Sequence, residues 1–468
     1  MLKLEKENSY NNYLKNLNLT TIKKSILSDN VKIWCMIFIL INIIFRATGG
    51  ANPASRYATM RSMVEQSSFK INAYREWTVD WSQVGDDHYY SNKAPGPMFI
   101  GFPLFWLIEK VTKNNKREAF NKDGFRTKYV SASPRVIMSL LLQMIPFVLI
   151  SFYLIKLLAI KATTFTCLAL FFGNTISMLL NVYFGHGMTS IFLLLILLGF
   201  YRKNATVIGL AFGFSLLCEY TMALLLPLIL ILMIFQNRKD FSWFPKMLLG
   251  GLLPGLLWCW YHLETAGSVF SIPPEFQNPD FNTVKDSHGD YTNSFLPIPS
   301  LSTLYELLLG RIRGLLFLQP WLLFSLPLPF VYWKKIKEMD QGAVIYLFGF
   351  GSMIILLLMN AMFEEWHSGW MIGPRYMAAI FPVLALLVGK LYFDINDHYK
   401  KLLWVGLAVA IVFRSLVYAT TILAPDVDLW AYLWPMLTGK LWIRIIVYYV
   451  LISLGYYLCR EKPILIKN

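Results

Sequence analysis

Charge is scarce in this chain. Only 15% of its 468 residues are charged, while 56% are hydrophobic and 16% aromatic. A water-soluble domain carries about 25% charged and about 45–50% apolar residues, so an ordinary soluble domain is excluded. Acidic residues are the scarcer sign, 28 against 43 Lys plus Arg, which leaves a formal charge of +15. That excess does not point to nucleic acid, because the basic residues gather at the ends of apolar runs, as the positive-inside rule expects. Cysteine is sparse as well. Cys35, Cys167, Cys218, Cys259 and Cys459 all lie in or at the edge of apolar runs, without metal-ligand spacing, and read as small packing residues. Internal repeats, low-complexity tracts and a separate soluble domain are missing. So are a nucleotide-phosphate loop, a zinc motif and a serine nucleophile elbow, which removes the chemistries those motifs serve. Residues 1–32 are polar and lysine-rich, and the first apolar run follows with no small-residue cleavage site. That pattern is read as an anchored helix rather than a cleaved signal.

What the chain has in abundance is apolar runs near the ~20 residues that a membrane-spanning helix needs. The expected fold is therefore all-α and polytopic. Spans are predicted near 33–49, 136–157, 164–182, 187–201, 205–220, 221–236, 245–262, 314–333, 343–362, 377–393, 402–421 and 441–459. That makes about twelve spans with both termini inside. Two long outer loops remain, 50–135 and 263–313. Asn52-Pro53 reads as a helix start, and the stripe Tyr57, Met60, Val64 predicts a helix lying on the membrane surface. The run 95–108 is short and holds Pro95, Pro97 and Pro103. If it spanned, the basic pairs Lys156/Lys161, Arg202/Lys203, Arg238/Lys239, Lys334/Lys335 and Lys400/Lys401 would all fall outside. Read as re-entrant or interfacial, it leaves only the basic segment Lys113 to Arg135 outside, the better fit to the charge rule. The chain divides into a cytoplasmic segment (1–32), a transmembrane catalytic region (33–395) and C-terminal helices (396–468).

On this topology the unusual polar residues share the outer side. The densest stretch runs from Asp80 to Gly96 and holds Asp80, Asp86, Asp87, His88, Tyr90 and Lys93. His186 lies at the outer end of one span, and Glu219-Tyr220 lies at an outer junction of two. Arg311 and Arg313 close the second long loop. Glu364, Glu365, Trp366 and His367, then Arg375 and Tyr376, fill a short outer loop. Ionisable groups near a bilayer are costly and usually line a cavity, so one hydrated outer cavity is expected. Each residue also has a structural reading. Arg375 and Arg313 can snorkel to headgroups, and His186 can be a satisfied helix-end histidine. Glu219 can be a structural ion-pair partner, and Trp366 and Trp370 can belong to the aromatic belt. Asp280, Asp286 and Asp290 of the second loop read as solvated. Lys93 has the weakest structural reading, since it precedes a stiff Ala94-Pro95-Gly96 turn rather than flanking a helix. A carboxylate that takes a proton from a hydroxyl, beside a cation that neutralises a phosphate, suits a lipid-linked phosphate at a membrane surface. The aspartates have oxygen ligands to offer a divalent metal, but nothing in the sequence supports one, and no cofactor is expected.

A family resemblance rests on specific motifs. Ser55-Arg56-Tyr57-Ala58 with Met63-Val64-Glu65, then Tyr90-Ser91-Asn92-Lys93-Ala94-Pro95-Gly96, resemble the first periplasmic loop of GT-C glycosyltransferases. The nearest group is that of the protein O-mannosyltransferases and aminoarabinose transferases. Phe184-Gly185-His186, Glu219-Tyr220, Arg313-Gly314-Leu315-Leu316-Phe317 with Pro320, Trp366-His367-Ser368-Gly369-Trp370 and Gly373-Pro374-Arg375-Tyr376 fit a bacterial branch of it. Together the motifs span about residues 33–395. The resemblance implies an inverting transferase of the bacterial inner membrane. It would use a polyprenyl-phosphate sugar and act on a periplasmic glycan, lipid or protein acceptor. Lys93 carries over as the donor-phosphate ligand, with Arg375 and Arg313 beside it, while His88, Tyr90, His186, Glu219, Tyr220, Trp366, His367 and Tyr376 line the cavity. One departure stands out. The family places a catalytic acid just before the Arg-Tyr-Ala segment, where this chain has Pro53, Ala54 and Ser55. The base is then expected from Asp80 first, with Asp87 and Asp86 next. The rivals are a lipid-linked oligosaccharide flippase, which needs a polar path to the inner face, and an inactive scaffold of the same fold.

Overall fold

The computed structural model describes residues 30–45, 50–112, 132–238, 240–279, 298–311, 313–363, 366, 373–420 and 442–459. Asp280, Asp286, Asp290, Glu364, Glu365, His367 and Trp370 fall outside them. Helices dominate. Arg135–Leu157, Gly185–Arg202, Gly342–Met362, Arg375–Asp394 and Trp442–Cys459 are long and apolar enough to cross a membrane, and Asn30–Ile44, Ala205–Cys218, Tyr220–Gln236 and Pro320–Val331 are shorter apolar helices. The chain is a polytopic helical membrane protein. The helix Trp243–Ala266 shows how the bundle is made. Leu248, Leu249, Leu252, Leu256 and Leu263 lie exposed along it. Its other side packs on the 205–218 helix, where Gly209 and Gly250 bring the two backbones into contact. Close approach at small residues is what associates helices in a lipid environment.

Two runs expected as single spans are broken. The run at 164–182 forms Thr163–Phe171 and Ile176–Asn181. At the break the Asn174 amide donates to the carbonyls of Ala169 (2.9 Å) and Leu170 (2.7 Å), so the freed backbone groups are satisfied inside the protein. The run at 314–333 forms Leu315–Leu318, Pro320–Ser325 and Leu328–Val331, since Pro320, Pro327 and Pro329 supply no backbone N–H. The two breaks are joined: Gln319 bonds Thr175 by both its amide groups, and Arg414 donates to Thr175 Oγ1 at 3.2 Å.

The segments between the first two predicted spans differ more from expectation. The helix Ala51–Gln66 was expected on the membrane surface, but Pro53 to Ser62 are all buried. Protein encloses it: the 3-10 turn Asn72–Trp77, the strand Tyr89–Ser91 and the helix Gly96–Thr112 pack around it. Its Ala and Ser residues admit that close approach. An ionic clamp seals one end, with Arg61 paired to Glu65 (2.6 Å) and to Glu109, and Tyr74 bonded to Glu65. The Asp80–Gly96 stretch is not a plain loop. It contains an antiparallel hairpin, β1 (Trp81–Gln83) and β2 (Tyr89–Ser91), in the register Trp81↔Ser91 and Gln83↔Tyr89. Gly85 turns the chain at a φ of +68°, which disfavours any side chain. The second long loop braces the hairpin, through Asn278 N–H to the Trp81 carbonyl (2.9 Å) and Ser82 Oγ to the Pro273 carbonyl (2.5 Å). The run after Lys93 is a helix of 17 residues. At 1.5 Å per residue that is about 25 Å, short of the ~30 Å hydrocarbon core.

Candidate active site

Two glycines draw the Lys93 turn and the start of the Gly185–Arg202 helix onto one point, the Cys218–Glu219 junction. A Cβ on Gly96 would lie 2.7–2.8 Å from the Leu217 carbonyl carbon and the Cys218 nitrogen. Only a bare backbone lets the Lys93-Ala94-Pro95-Gly96 turn sit there. Gly96 is thus needed for close contact. A Cβ on Gly185 would likewise run into the Glu219 carboxylate and the Cys218 carbonyl, with Arg56 Nη2 at 3.0 Å. The corner before Gly185 is strained: Tyr183 takes a φ of +60°, rare for a bulky side chain. Three contacts hold it. The Tyr183 hydroxyl donates to the Pro97 carbonyl (2.9 Å), and its ring stacks on Tyr57 at 5.8 Å. The third comes from a π turn, Leu140–Met144, which aims the Gln143 amide at the Phe184 carbonyl (2.9 Å). An inserted π turn often marks a functional position.

The charged groups meet around this junction. Lys93 Nζ lies 3.3 Å from Asp80 Oδ1, and Arg56 Nη2 lies 4.0 Å from Glu219 Oε1. His186 Nδ1 lies 3.5 Å from the same Glu219 oxygen. Arg375 lies within electrostatic reach of Lys93, His186 and Glu219, and its guanidinium faces the Phe184 and Tyr376 rings at 5.7 and 5.2 Å. Its Nε is buried with no hydrogen-bond partner. The cluster therefore sets three fixed cations, Arg56, Lys93 and Arg375, against two carboxylates, Asp80 and Glu219. Burial pushes the Lys93 ammonium below its ordinary value; Asp80 opposes that, while Arg375 and Arg56 add to it. A partly buried lysine within electrostatic reach of two guanidiniums is a place where an anion relieves like-charge repulsion.

Asp80 and Lys93 sit where they do because the backbone at the hairpin base is pinned. Ser55 Oγ donates to the Asp80 carbonyl (2.6 Å), and the Asp80 N–H bonds Thr78 Oγ1 (2.9 Å). Ser55 Oγ and Ser91 Oγ are 2.6 Å apart, and Ser91 Oγ accepts from the Lys93 N–H at 3.2 Å. The same register carries Asp86 and Asp87 to the opposite, exposed tip. They stand about 10 Å of strand away from the ion pair. His88, also exposed, faces Lys70 Nζ at 3.2 Å rather than the cluster. Tyr90 is buried in an aromatic wall with Phe69 and Tyr261. The Tyr376 ring meets His186 edge-on at 6.0 Å, which puts it at the cluster. Tyr220 follows Glu219 directly and bonds His262 Nε2 at 3.1 Å. Because His262 Nδ1 bonds the Trp258 carbonyl (2.8 Å), Nε2 is the acceptor and the Tyr220 hydroxyl donates. Arg313 is buried in the turn between Leu301–Leu309 and Leu315–Leu318, and Trp366 is a half-buried turn residue. Arg56 is the residue that sequence reasoning passed over. It lies inside the Ser55-Arg56-Tyr57-Ala58 motif but off the Tyr57, Met60, Val64 stripe; only 1% of it is exposed, and its guanidinium also bonds Asn52.

No protein-family model matches this chain, and no curated protein matches it. Among solved structures it is similar to ArnT from Cupriavidus metallidurans in the apo state. That match has 13% identity and a TM-score of 0.46, and it covers 91% of this chain and 76% of ArnT. It is also similar to the same ArnT bound to undecaprenyl phosphate, at 14% identity and a TM-score of 0.47, over 92% of this chain and 75% of ArnT. ArnT is an aminoarabinose transferase of the GT-C glycosyltransferase class.

Proposed function

We propose that this protein is a glycosyltransferase that moves a sugar from a polyprenyl-phosphate donor to an extracytoplasmic hydroxyl, with inversion at the sugar carbon. One observation carries the reading: Lys93, a partly buried cation paired with Asp80 at 3.3 Å, lies within electrostatic reach of Arg375 at the end of an apolar helical bundle. The motif resemblance of the Lys93 turn supports it. Lys93 and Arg375 hold the donor phosphate. Asp80 accepts the proton of the acceptor hydroxyl, whose oxygen forms the new bond to the sugar carbon. The bond between that carbon and the phosphate oxygen breaks, and the electron pair leaves on the phosphate. The phosphate thereby gains one negative charge, and the two cations stabilise that gain in the transition state.

The topology belongs to the same reading: about twelve spans, both termini cytoplasmic, and the cluster on the periplasmic face. Cysteine probes placed near Lys93 and near Arg375, in a version without the native cysteines, are expected to label together from outside. Labelling of one without the other refutes a shared outer cavity. For the donor, Lys93→Met keeps the stem and removes the charge. Loss of a charge-assisted hydrogen bond costs about 1.5–3 kcal/mol, or about ten- to a hundredfold in polyprenyl-phosphate affinity. Parent-like binding by the Lys93→Met protein rules out the assignment. Donor passage across a vesicle membrane with no glycosylated product would favour a flippase instead.

A further inference from the structure

We propose that Asp80 and the donor phosphate compete for Lys93, so that loading the donor is what releases Asp80 to act as the base. The inference rests on the reading above. In the resting arrangement the Asp80 carboxylate is the ion-pair partner of Lys93, 3.3 Å away. An oxygen that faces the ammonium at that distance is taken up by a charge-assisted contact and is not free to meet an acceptor hydroxyl. The residue proposed as base is thus restrained for as long as the phosphate is absent.

The geometry allows the exchange without moving the backbone. Both ends of the pair are fixed at the main chain, Asp80 by Ser55 and Thr78, Lys93 by Ser91. The side chains are less constrained: Lys93 keeps 24% of its surface and Asp80 12%, so solvent reaches the pair from one side. A lysine is a compact charge on a flexible stem and can change partners by rotating about its χ angles. The positive field is also larger than Asp80 alone can balance, since Arg375 and Arg56 both act on Lys93. An arriving phosphate therefore meets net attraction, and it offers Lys93 a second anion. As the sugar leaves, the phosphate becomes more negative and holds Lys93 more firmly. The Asp80 oxygen is then free to take the acceptor's proton, with Arg56 the cation that still acts on it. No atoms are exchanged in the switching step itself; only the ion pair changes partner.

A double-mutant cycle tests the competition, with polyprenyl phosphate titrated into the detergent-purified protein. Asp80→Asn removes the competitor, and binding is expected to tighten about tenfold. In the Lys93→Met background the same Asp80→Asn change is expected to give less than about a twofold gain, because the competed cation is gone. An equal gain in both backgrounds would mean plain repulsion between Asp80 and the phosphate, and would overturn the proposal. So would no gain at all. Asp80→Glu guards against a folding defect, as it keeps the competing charge and is expected to bind no more tightly than the parent. Tightening by Asp80→Glu that equals that of Asp80→Asn also overturns the proposal. If Lys93→Met alone binds like the parent, the donor reading fails as well. If Lys93→Met loses binding while Asp80→Asn gains nothing, only the competition fails.

Discussion

Arg56→Met is the most demanding perturbation of the site that is not aimed at the proposed donor ligands. The guanidinium is 1% exposed and lies 4.0 Å from a Glu219 oxygen, which itself is 17% exposed. At that separation and an effective dielectric of about 20, the attraction is about 4 kcal/mol, and removing one partner of a buried pair costs about 3–5 kcal/mol. Glu219 reaches some solvent and keeps His186 nearby, so the lower end, about 3 kcal/mol, is expected. The Asn52 carboxamide oxygen loses its donor too. Removing both charges should recover part of the loss, since the Glu219 carboxylate is then no longer left without its Arg56 partner. The double variant Arg56→Met/Glu219→Gln is expected to be about 1–2 kcal/mol more stable than Arg56→Met alone. Arg56→Lys should rescue little, because an ammonium cannot span Asn52 and Glu219 with a rigid fork. The assay is an unfolding titration in mixed micelles, with donor binding followed in parallel. A loss below about 1 kcal/mol for Arg56→Met, or strict additivity in the double variant, would refute the view that this pair organises the site.

Three further predictions follow from other parts of the geometry. Polyprenyl-phosphate affinity should fall as pH rises, with a midpoint below 10.5, since burial lowers the Lys93 value and the neutral amine cannot hold a phosphate. The stability sign is the opposite: between the lowered value and 10.5 the unfolded chain binds more protons, so folding stability from this group rises with pH and is lost as pH falls through the lowered value. Titration of binding and of unfolding over the alkaline range checks both, and affinity that holds beyond 10.5 would contradict the lysine assignment. Gly185→Ala should cost about 1–3 kcal/mol and weaken donor binding, because its methyl group would displace the Glu219 carboxylate and the Cys218 carbonyl; a parent-like variant would show that the junction is soft. Asp86→Asn and Asp87→Asn should each change stability by under ~0.5 kcal/mol and leave sugar transfer nearly intact, as both lie on the exposed hairpin tip. Loss of transfer in either would move the base away from Asp80.

The class of the protein was legible in the chain because it follows from local properties. Apolar runs of spanning length, and helix periodicity within them, report on the solvent around the bundle, and no distant contact can reverse them. The weight on Lys93 also came from its neighbours, a lysine set against an Ala94-Pro95-Gly96 turn. Contacts between distant segments decided the rest. Asp80, Asp86 and Asp87 look equivalent in sequence, and only the hairpin register separates the first from the other two. A period of two residues along a strand carries no mark of which end faces a cavity. Nothing local marks Gly96 and Gly185 as contact points, yet the folded chain uses them to bring the Lys93 turn and the His186 helix against Cys218 and Glu219. The breaks at Asn174 and Gln319 were hidden inside apolar runs, since an interrupted helix in a bundle is tolerated once other segments satisfy its freed backbone groups. Arg56 was the most hidden of all. Its neighbours in sequence place it on an ordinary helix, and its meaning comes from Glu219, a partner that only tertiary packing brings to it.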